Sequence, residues 1–173
     1  MRFGSLVHAL LENADLPDEI GAARIAARFD PLPDAGIQEA ALSAARAVHE
    51  LPEAPTLFGP SSRGEVPLRG TLIDSTGAKR AVSGSIDRLV ILPEEIWVID
   101  FKTNTSAPDP ARLADDMPDY VAQMALYQAL LAAMMPDRPV CCGLVWTAKP
   151  RLDWLPESAL AEARQALGLA LPS

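Results

Sequence analysis

In the run Trp97-Val98-Ile99-Asp100-Phe101-Lys102-Thr103, an acid and a base stand two residues apart among apolar neighbours. Strand alternation puts Trp97, Ile99 and Phe101 on one face, and Asp100 with Lys102 on the other. Charges on such a strand are costly unless they are paired or used. A salt-bridged strand end and a chemical site are both open on this segment alone. The segment before it, Gly84-Ser85-Ile86-Asp87-Arg88-Leu89, adds Asp87. A hairpin turning at Pro93-Glu94-Glu95 leaves Asp87 and Asp100 at comparable distances from the turn, side by side on neighbouring strands. Two carboxylates that close repel unless protonated or bridged by a cation. An oxygen-rich pair beside a lysine suits Mg²⁺ or Mn²⁺. Glu65, opening an earlier strand, offers a third acid. Arg88 points to the other face and is a poor partner for Asp87.

Three further residues stand out by type. His8 lies on an apolar helix, where a lone histidine is more often a satisfied core residue than a ligand. Gln123 and Tyr127 are four apart on one helix and so share a face. From there they hydrogen-bond a phosphate, brace a metal site, or equally form a boundary stripe on the helix; all three readings are open.

These residues are positioned by elements that the sequence punctuates clearly. Residues 4–12 read as a helix, with Leu6/Leu10 and Val7/Leu11 as apolar pairs four apart. The chain starts almost directly in that helix, so a piece of a longer protein is expected. Asp18–Phe29 and Gly36–Leu51 are two alanine-rich helices broken by Pro31 and Pro33. Pro52–Gly64 reads as a loop or short edge segment. The texture then turns β-branched: Glu65–Ile73 and Ala81–Leu92 are strands around Asp74-Ser75-Thr76-Gly77, and Ile96–Thr103 is a third. Asn104–Met117 is a loop, and Pro118 opens a long helix to Met135. Val140–Thr147 is a buried strand, Arg151–Leu155 a short extension and Glu157–Leu167 a closing helix. Short turns make the first three strands an antiparallel meander, and the helical crossover returns Val140–Thr147 parallel to a neighbour. The fold class is α/β, a mixed sheet flanked by helices. One domain is expected over 1–173, with a helical segment (1–55) contributing His8 and a catalytic core (56–173).

Composition sets the limits. The 173 residues are 49% hydrophobic and 22% charged, which is globular and excludes a disordered chain. The net charge is −8, of which −5 falls in residues 1–55. That opposes gripping nucleic acid through a broad basic surface, but not an enzyme that meets it through metal ions in one cleft. Cys141 and Cys142 are adjacent, so they cannot readily pair. Two thiols are also too few for an iron–sulfur cluster or a structural zinc site. The first residues hold no apolar stretch long enough for a signal peptide, and Val121–Met135 is too short and interrupted to span a bilayer, so a cytoplasmic protein is expected. Gly59 and Gly64 have P-loop spacing, but Glu65-Val66 follows where Lys-Ser/Thr is required, so there is no ATP site here.

Taken together, Gly4-Ser5-Leu6-Val7-His8-Ala9-Leu10-Leu11-Glu12, Glu65, Gly84-Ser85-Ile86-Asp87-Arg88, Ile99-Asp100-Phe101-Lys102-Thr103 and Tyr120-Val121-Ala122-Gln123-Met124-Ala125-Leu126-Tyr127 occur in one order. This resembles the RecB-like nuclease domain of the PD-(D/E)XK superfamily. The likeness is greatest to the C-terminal nuclease domain of AddA-type helicase–nuclease subunits, with Val145-Trp146-Thr147 and Arg151-Leu152 as further support. The resemblance implies a restriction-endonuclease-like core and Mg²⁺-dependent hydrolysis of DNA, with Mn²⁺ as a substitute. It implies Asp87 and Asp100 as metal ligands, His8 completing the metal shell, and Lys102 orienting or polarising the attacking water. Glu65 matches the acid on the first core strand, and Gln123 with Tyr127 the Q-x-x-x-Y helix beside the site. Implied partners are DNA, the helicase portion of the same parent chain and an AddB-like second subunit. Relatives with an iron–sulfur staple carry four cysteines, which this chain lacks. An idle docking module and a standalone resolvase-like nuclease are the alternatives.

Overall fold

The computed structural model describes residues 3–30, 32 and 34–169; the expected breaker at Pro31 and Pro33 lies outside them. Helix α1 (Phe3–Leu11) buries Leu6, Val7, Leu10 and Leu11, the stripe read from its spacing. Helices α2 (Glu19–Ala26) and α3 (Ala35–His49) start where aspartates accept backbone N–H bonds: Asp18 from Gly21 at 2.7 Å and Asp34 from Ile37 at 3.0 Å. Helix α2 ends three residues before the expected Phe29, in a turn over Ala27–Phe29.

Five strands follow: β1 (Ser62–Ile73), β2 (Lys79–Ile91), β3 (Ile96–Lys102), β4 (Val140–Trp146) and β5 (Arg151–Trp154), in that spatial order. Strands β1, β2 and β3 are antiparallel, β3 and β4 are parallel, and β5 returns antiparallel to β4. The meander and the parallel return are as expected. The β1–β2 turn is held by Asp74, whose carboxylate accepts from the Thr76 and Ala78 amides, while Gly77 takes a φ of 84°.

Between β3 and β4 run the long helix α6 (Pro118–Met134) and, after β5, helix α7 (Glu157–Ala166). Helices α1–α3 cover one sheet face over Val90, Ile99, Phe101 and Val145; α6 and α7 cover the other over Ile96, Val98, Leu144 and Trp146. Cys142 is buried on the α6 side, where an apolar site raises its thiol pKa. Two expected loops contain short helices instead. Pro52–Gly64 holds α4 (Ala54–Leu57), and β1 begins within it at Ser62. Asn104–Met117 holds a 3₁₀ turn (Pro110–Arg112) and α5 (Leu113–Asp116). Leu57 and Leu113 are buried, so tertiary contact fixes these turns where the local pattern is too short to announce them. Among the described residues no helix is long and apolar enough to cross a membrane.

Candidate metal centre

Strands β2 and β3 pair only from Ile91↔Ile96 to Arg88↔Ile99. The next register position sets Asp87 opposite Asp100, as the hairpin count requires, and there the ladder ends. Asp87 Oδ2 instead accepts the Phe101 N–H at 2.7 Å, so its carboxylate sits in the fork where the strands part. On the other side of β2, Glu65 lies opposite Asp87 between the pairs Gly64↔Arg88 and Val66↔Ile86. Glu65 has a φ of 48°, the one positive value at a non-glycine among the described residues. The facing reverses at this point. Leu68 and Ile86 belong to the α6-side core, whereas Arg88 and Gly64 meet the end of α1. A left-handed non-glycine residue is strained, and such strain gathers at functional sites.

His8 comes down from α1 with Nδ1 3.4 Å from Asp87 Oδ2. Ser85 Oγ donates to Glu65 Oε2 at 3.0 Å, fixing that carboxylate one residue from the reversal. One donor atom each of His8, Glu65 and Asp87 lies within 4.8 Å of the other two. Two carboxylate oxygens and one imidazole nitrogen converge on a cation-sized space; the carboxylates suit Mg²⁺ or Mn²⁺, and the imidazole is a borderline donor that the later transition metals favour more.

Asp100 stands beside this trio and is 6% exposed. Lys102 Nζ is 2.6 Å from Asp100 Oδ2, although the pair is not aligned as a regular hydrogen bond. Burial first, and then the charge of Asp87, push the Asp100 carboxyl above the usual range despite Lys102. Burial opposes charge on His8, but the hydrogen bond and charge of Asp87 prevail and raise its pKa. The fork therefore holds more negative charge than its own cations neutralise, and the residues fit a divalent ion. The Lys102 ammonium lies 3.6 Å from the ring centroid of Tyr120, whose hydroxyl donates to Asn104 Oδ1 at 3.2 Å. Tyr120 stood in the sequence motif without a role; the spacing alone did not show that it stacks on the lysine.

Arg88 is the other residue that sequence reasoning passed over. It is 1% exposed and donates to the carbonyls of Leu11, Glu12 and Asn13, which end α1. Its guanidinium also lies 4.8 Å from the Phe58 ring centroid. A cation on the free carbonyls of a helix C-terminus is favourable. Here it ties the helix carrying His8 to the residue next to Asp87. A Cβ on Gly64 would fall 2.2 Å from the Glu12 carbonyl oxygen, so only glycine lets β1 approach this close. The sole signal was parity: Arg88 faces away from Asp87.

Gln123 and Tyr127 share a face of α6, and Gln123 Nε2 donates to Tyr127 Oη at 3.2 Å. Tyr127 is buried in the α6-side core, over Gly84; a Cβ there would lie 2.2 Å from its hydroxyl oxygen. Met124 and Leu131 are buried on the same helix. Tyr127 thus presses on the residue before Ser85, which in turn holds Glu65. An open cleft of about 820 Å³ runs past the centre, walled by Gly4, Ser5, His8, Ala9, Glu12, Phe29, Glu65 and Thr103.

A mixed sheet lies between helical layers, and acids and a lysine gather where two of its strands part. The family model of the PD-(D/E)XK nuclease superfamily matches residues 1–161. The chain belongs to that superfamily, whose nucleases use divalent metal ions. No curated protein matches the sequence. Among solved structures, the crystal structure of SSO0001 is similar, with 15% identity and a TM-score of 0.39 over 92% of this chain and 72% of that one.

Proposed function

We propose that this chain hydrolyses DNA phosphodiester bonds with Mg²⁺, or Mn²⁺ in its place. The observation that carries this is the convergence of His8, Glu65 and Asp87 beside the Asp100–Lys102 pair. His8, Glu65, Asp87 and Asp100 would hold the ion. A bound divalent ion lowers the pKa of water and neutralises charge on the phosphoryl oxygens. Lys102, held between Asp100 and the Tyr120 ring, keeps an ammonium where it can orient an attacking water. Asp87 keeps its carboxylate in the fork through the Phe101 amide, and Ser85 fixes Glu65. Gln123 and Tyr127 act from behind, by setting the path of β2 at Gly84.

The finer proposal is a single nuclease domain over residues 1–173, serving an AddA-type helicase–nuclease in cytoplasmic recombinational repair, with an AddB-like second subunit. The sequence motifs support it, and superfamily membership supports a standalone nuclease equally. The test is release of nucleotides from end-labelled DNA in Mg²⁺ or Mn²⁺, by this chain and by the natural protein that contains it. Cleavage lost on Asp87→Asn is expected; metal-independent cleavage, or none in either form, overturns the assignment. Efficient cleavage by a natural protein without helicase motifs overturns the AddA-type placement alone.

A further inference from the structure

We propose that a cavity at the opposite end of β3 from the metal centre binds a guanidinium group on an aliphatic stem, with Trp154 as its platform and Glu95 as its counter-ion. Neither residue belongs to the metal centre, and the site does not depend on the nuclease function proposed above.

The cavity opens where β3 and β4 begin and β5 ends, and it measures about 660 Å³. That is within the roughly 300–1,000 Å³ that ligand clefts span. Val140, Leu155 and Leu160, all buried, give it an apolar lining suited to an aliphatic stem. Among the described residues the lining also includes Glu95, Glu157, Trp97 and Trp154, and no lysine or arginine.

The two carboxylates differ. Glu157 already accepts from Arg164 at 2.6 Å and from Gln128 at 2.8 Å. Glu95 accepts from neutral donors, the Trp97 indole N–H on Oε1 at 2.7 Å and the Cys141 thiol on Oε2 at 3.5 Å. Among the described residues Glu95 makes no ion pair; Arg138 donates instead to the Leu92 carbonyl at 3.0 Å. A carboxylate offers about four lone-pair positions, so one remains on each oxygen. A guanidinium fork matches that pattern with two parallel N–H bonds. The local field has the sign such a group needs. Burial first, then the hydrogen bond and charge of Glu95 and the charge of Glu157, raise the Cys141 thiol pKa.

The platform is held in place by the same residue. Glu95 fixes the Trp97 indole, and Trp97 meets Trp154 edge to face, with ring centroids 5.0 Å apart at 70°. Trp154 is left 42% exposed. An indole face is the best cation–π partner among side chains. A planar guanidinium stacks on it, whereas an ammonium meets it as a point charge. An exposed tryptophan alone would be ordinary. The unpaired carboxylate in the same cavity is what calls for a cation.

The experiment uses the 173-residue chain in EDTA and reads tryptophan emission. Trp146 is fully buried, so ligand-dependent quenching reports Trp97 and Trp154. The probes are butylguanidinium, butylammonium and a short blocked peptide with one arginine. Butylguanidinium should quench saturably with a Kd of about 1 mM, bind more tightly than butylammonium, and slow alkylation of Cys141. Glu95→Gln, which can still accept from Trp97, should weaken binding about tenfold. Trp154→Leu, which keeps an apolar side chain without the π-face, should weaken it about 2- to 30-fold, and Trp154→Phe should recover part of the loss. Glu94→Gln, at an exposed acid outside the cavity, should match the unaltered chain. Tighter binding of the peptide than of butylguanidinium assigns the site to an arginine side chain of a partner polypeptide. Equal or weaker peptide binding assigns it to a free guanidino compound. Quenching that does not saturate with either probe overturns the proposal. So does an equal loss in Glu94→Gln and Glu95→Gln, which would reduce the effect to general attraction by a chain of net charge −8.

Discussion

Two partly buried groups of charges lie on or beside the same sheet, and they are built on opposite principles. At the outer end, on β4 and β5, Asp153 accepts from Trp146 Nε1 and from Arg151, both at 2.7 Å, and Arg151 also donates to the Pro108 carbonyl. Nearby, Glu157 accepts from Arg164 at 2.6 Å and from Gln128 at 2.8 Å. Burial pushes the Glu157 carboxyl up, but these hydrogen bonds and the Arg164 charge outweigh it and hold it below the usual range. Each acid there has its donors within the protein. At the fork of β2 and β3, Glu65, Asp87 and Asp100 face one lysine and one histidine, and burial with Asp87 drives Asp100 up. A matched group staples the fold. An unmatched one is relieved by a proton or by a bridging cation.

The comparison breaks first at Asp100. Asp100→Asn should reduce Mg²⁺-dependent cleavage by about 1,000-fold or more, since several kcal/mol of charge stabilisation goes with the ligand set. Yet in EDTA the same variant should melt higher, because a buried carboxylate beside another is removed. Asp153→Asn should do the reverse, sparing cleavage and lowering stability by about 1–3 kcal/mol as its donors lose a charged acceptor. Melting in EDTA and in Mg²⁺, on both variants, reads the contrast. A lower melting temperature for Asp100→Asn in EDTA would mean that the Lys102 pair outweighs the repulsion.

Arg88→Met tests whether the two halves of the fork are tied as described. It should cost about 2–3 kcal/mol, because the buried carbonyl at the end of α1 loses its donor while an isosteric apolar stem remains. Metal affinity, measured by Mn²⁺ titration on folded protein, should fall as well, and His8→Ala should add little to that fall. Independent, additive losses would show that Arg88 only stabilises the chain.

Acidity distinguishes the groups with opposite signs. Glu157 has a lowered folded pKa, so its stability contribution is complete above the unfolded value near 4.5 and is lost as pH falls through the folded one. Asp100 has a raised folded pKa, so the native state holds the proton longer, and stability declines as pH rises from about 4 through the folded value. In EDTA, Glu157→Gln should flatten the acid limb, and Asp100→Asn should flatten the decline above it. The Glu157 effect is the smaller, because its side chain is 66% exposed and salt screens it.

Much of the fork was legible because it rests on short-range rules. Alternation placed Ile99 and Phe101 opposite Asp100 and Lys102, and the turn at Pro93–Glu95 fixed the register that sets Asp87 against Asp100. What escaped was set by tertiary geometry. The left-handed Glu65, the Arg88 cap on α1 and Tyr120 over Lys102 each depend on where a distant backbone or ring comes to lie, and periodicity carries no information about that. The same holds for α4 and α5, which exist because Leu57 and Leu113 find the core.

The smallest effect concerns Tyr127, which lies between the two kinds of group. Its ring is buried among apolar residues, as in a staple, while its hydroxyl touches Gln123 and the backbone at Gly84, next to the serine that holds Glu65. Tyr127→Phe keeps the ring and removes one hydrogen bond, worth about 0.5–1.5 kcal/mol. If the hydroxyl serves only packing, melting falls by that amount and single-turnover cleavage stays unchanged. If it positions β2, the loss is carried through Gly84 and Ser85 to Glu65, and cleavage falls a few-fold with a weaker Mn²⁺ dependence. Ser85→Ala should then reproduce the change in metal dependence without touching α6, and should add little in the double variant. Normal metal dependence in Tyr127→Phe, with reduced stability, assigns the residue to the core and leaves the fork to the residues that line it.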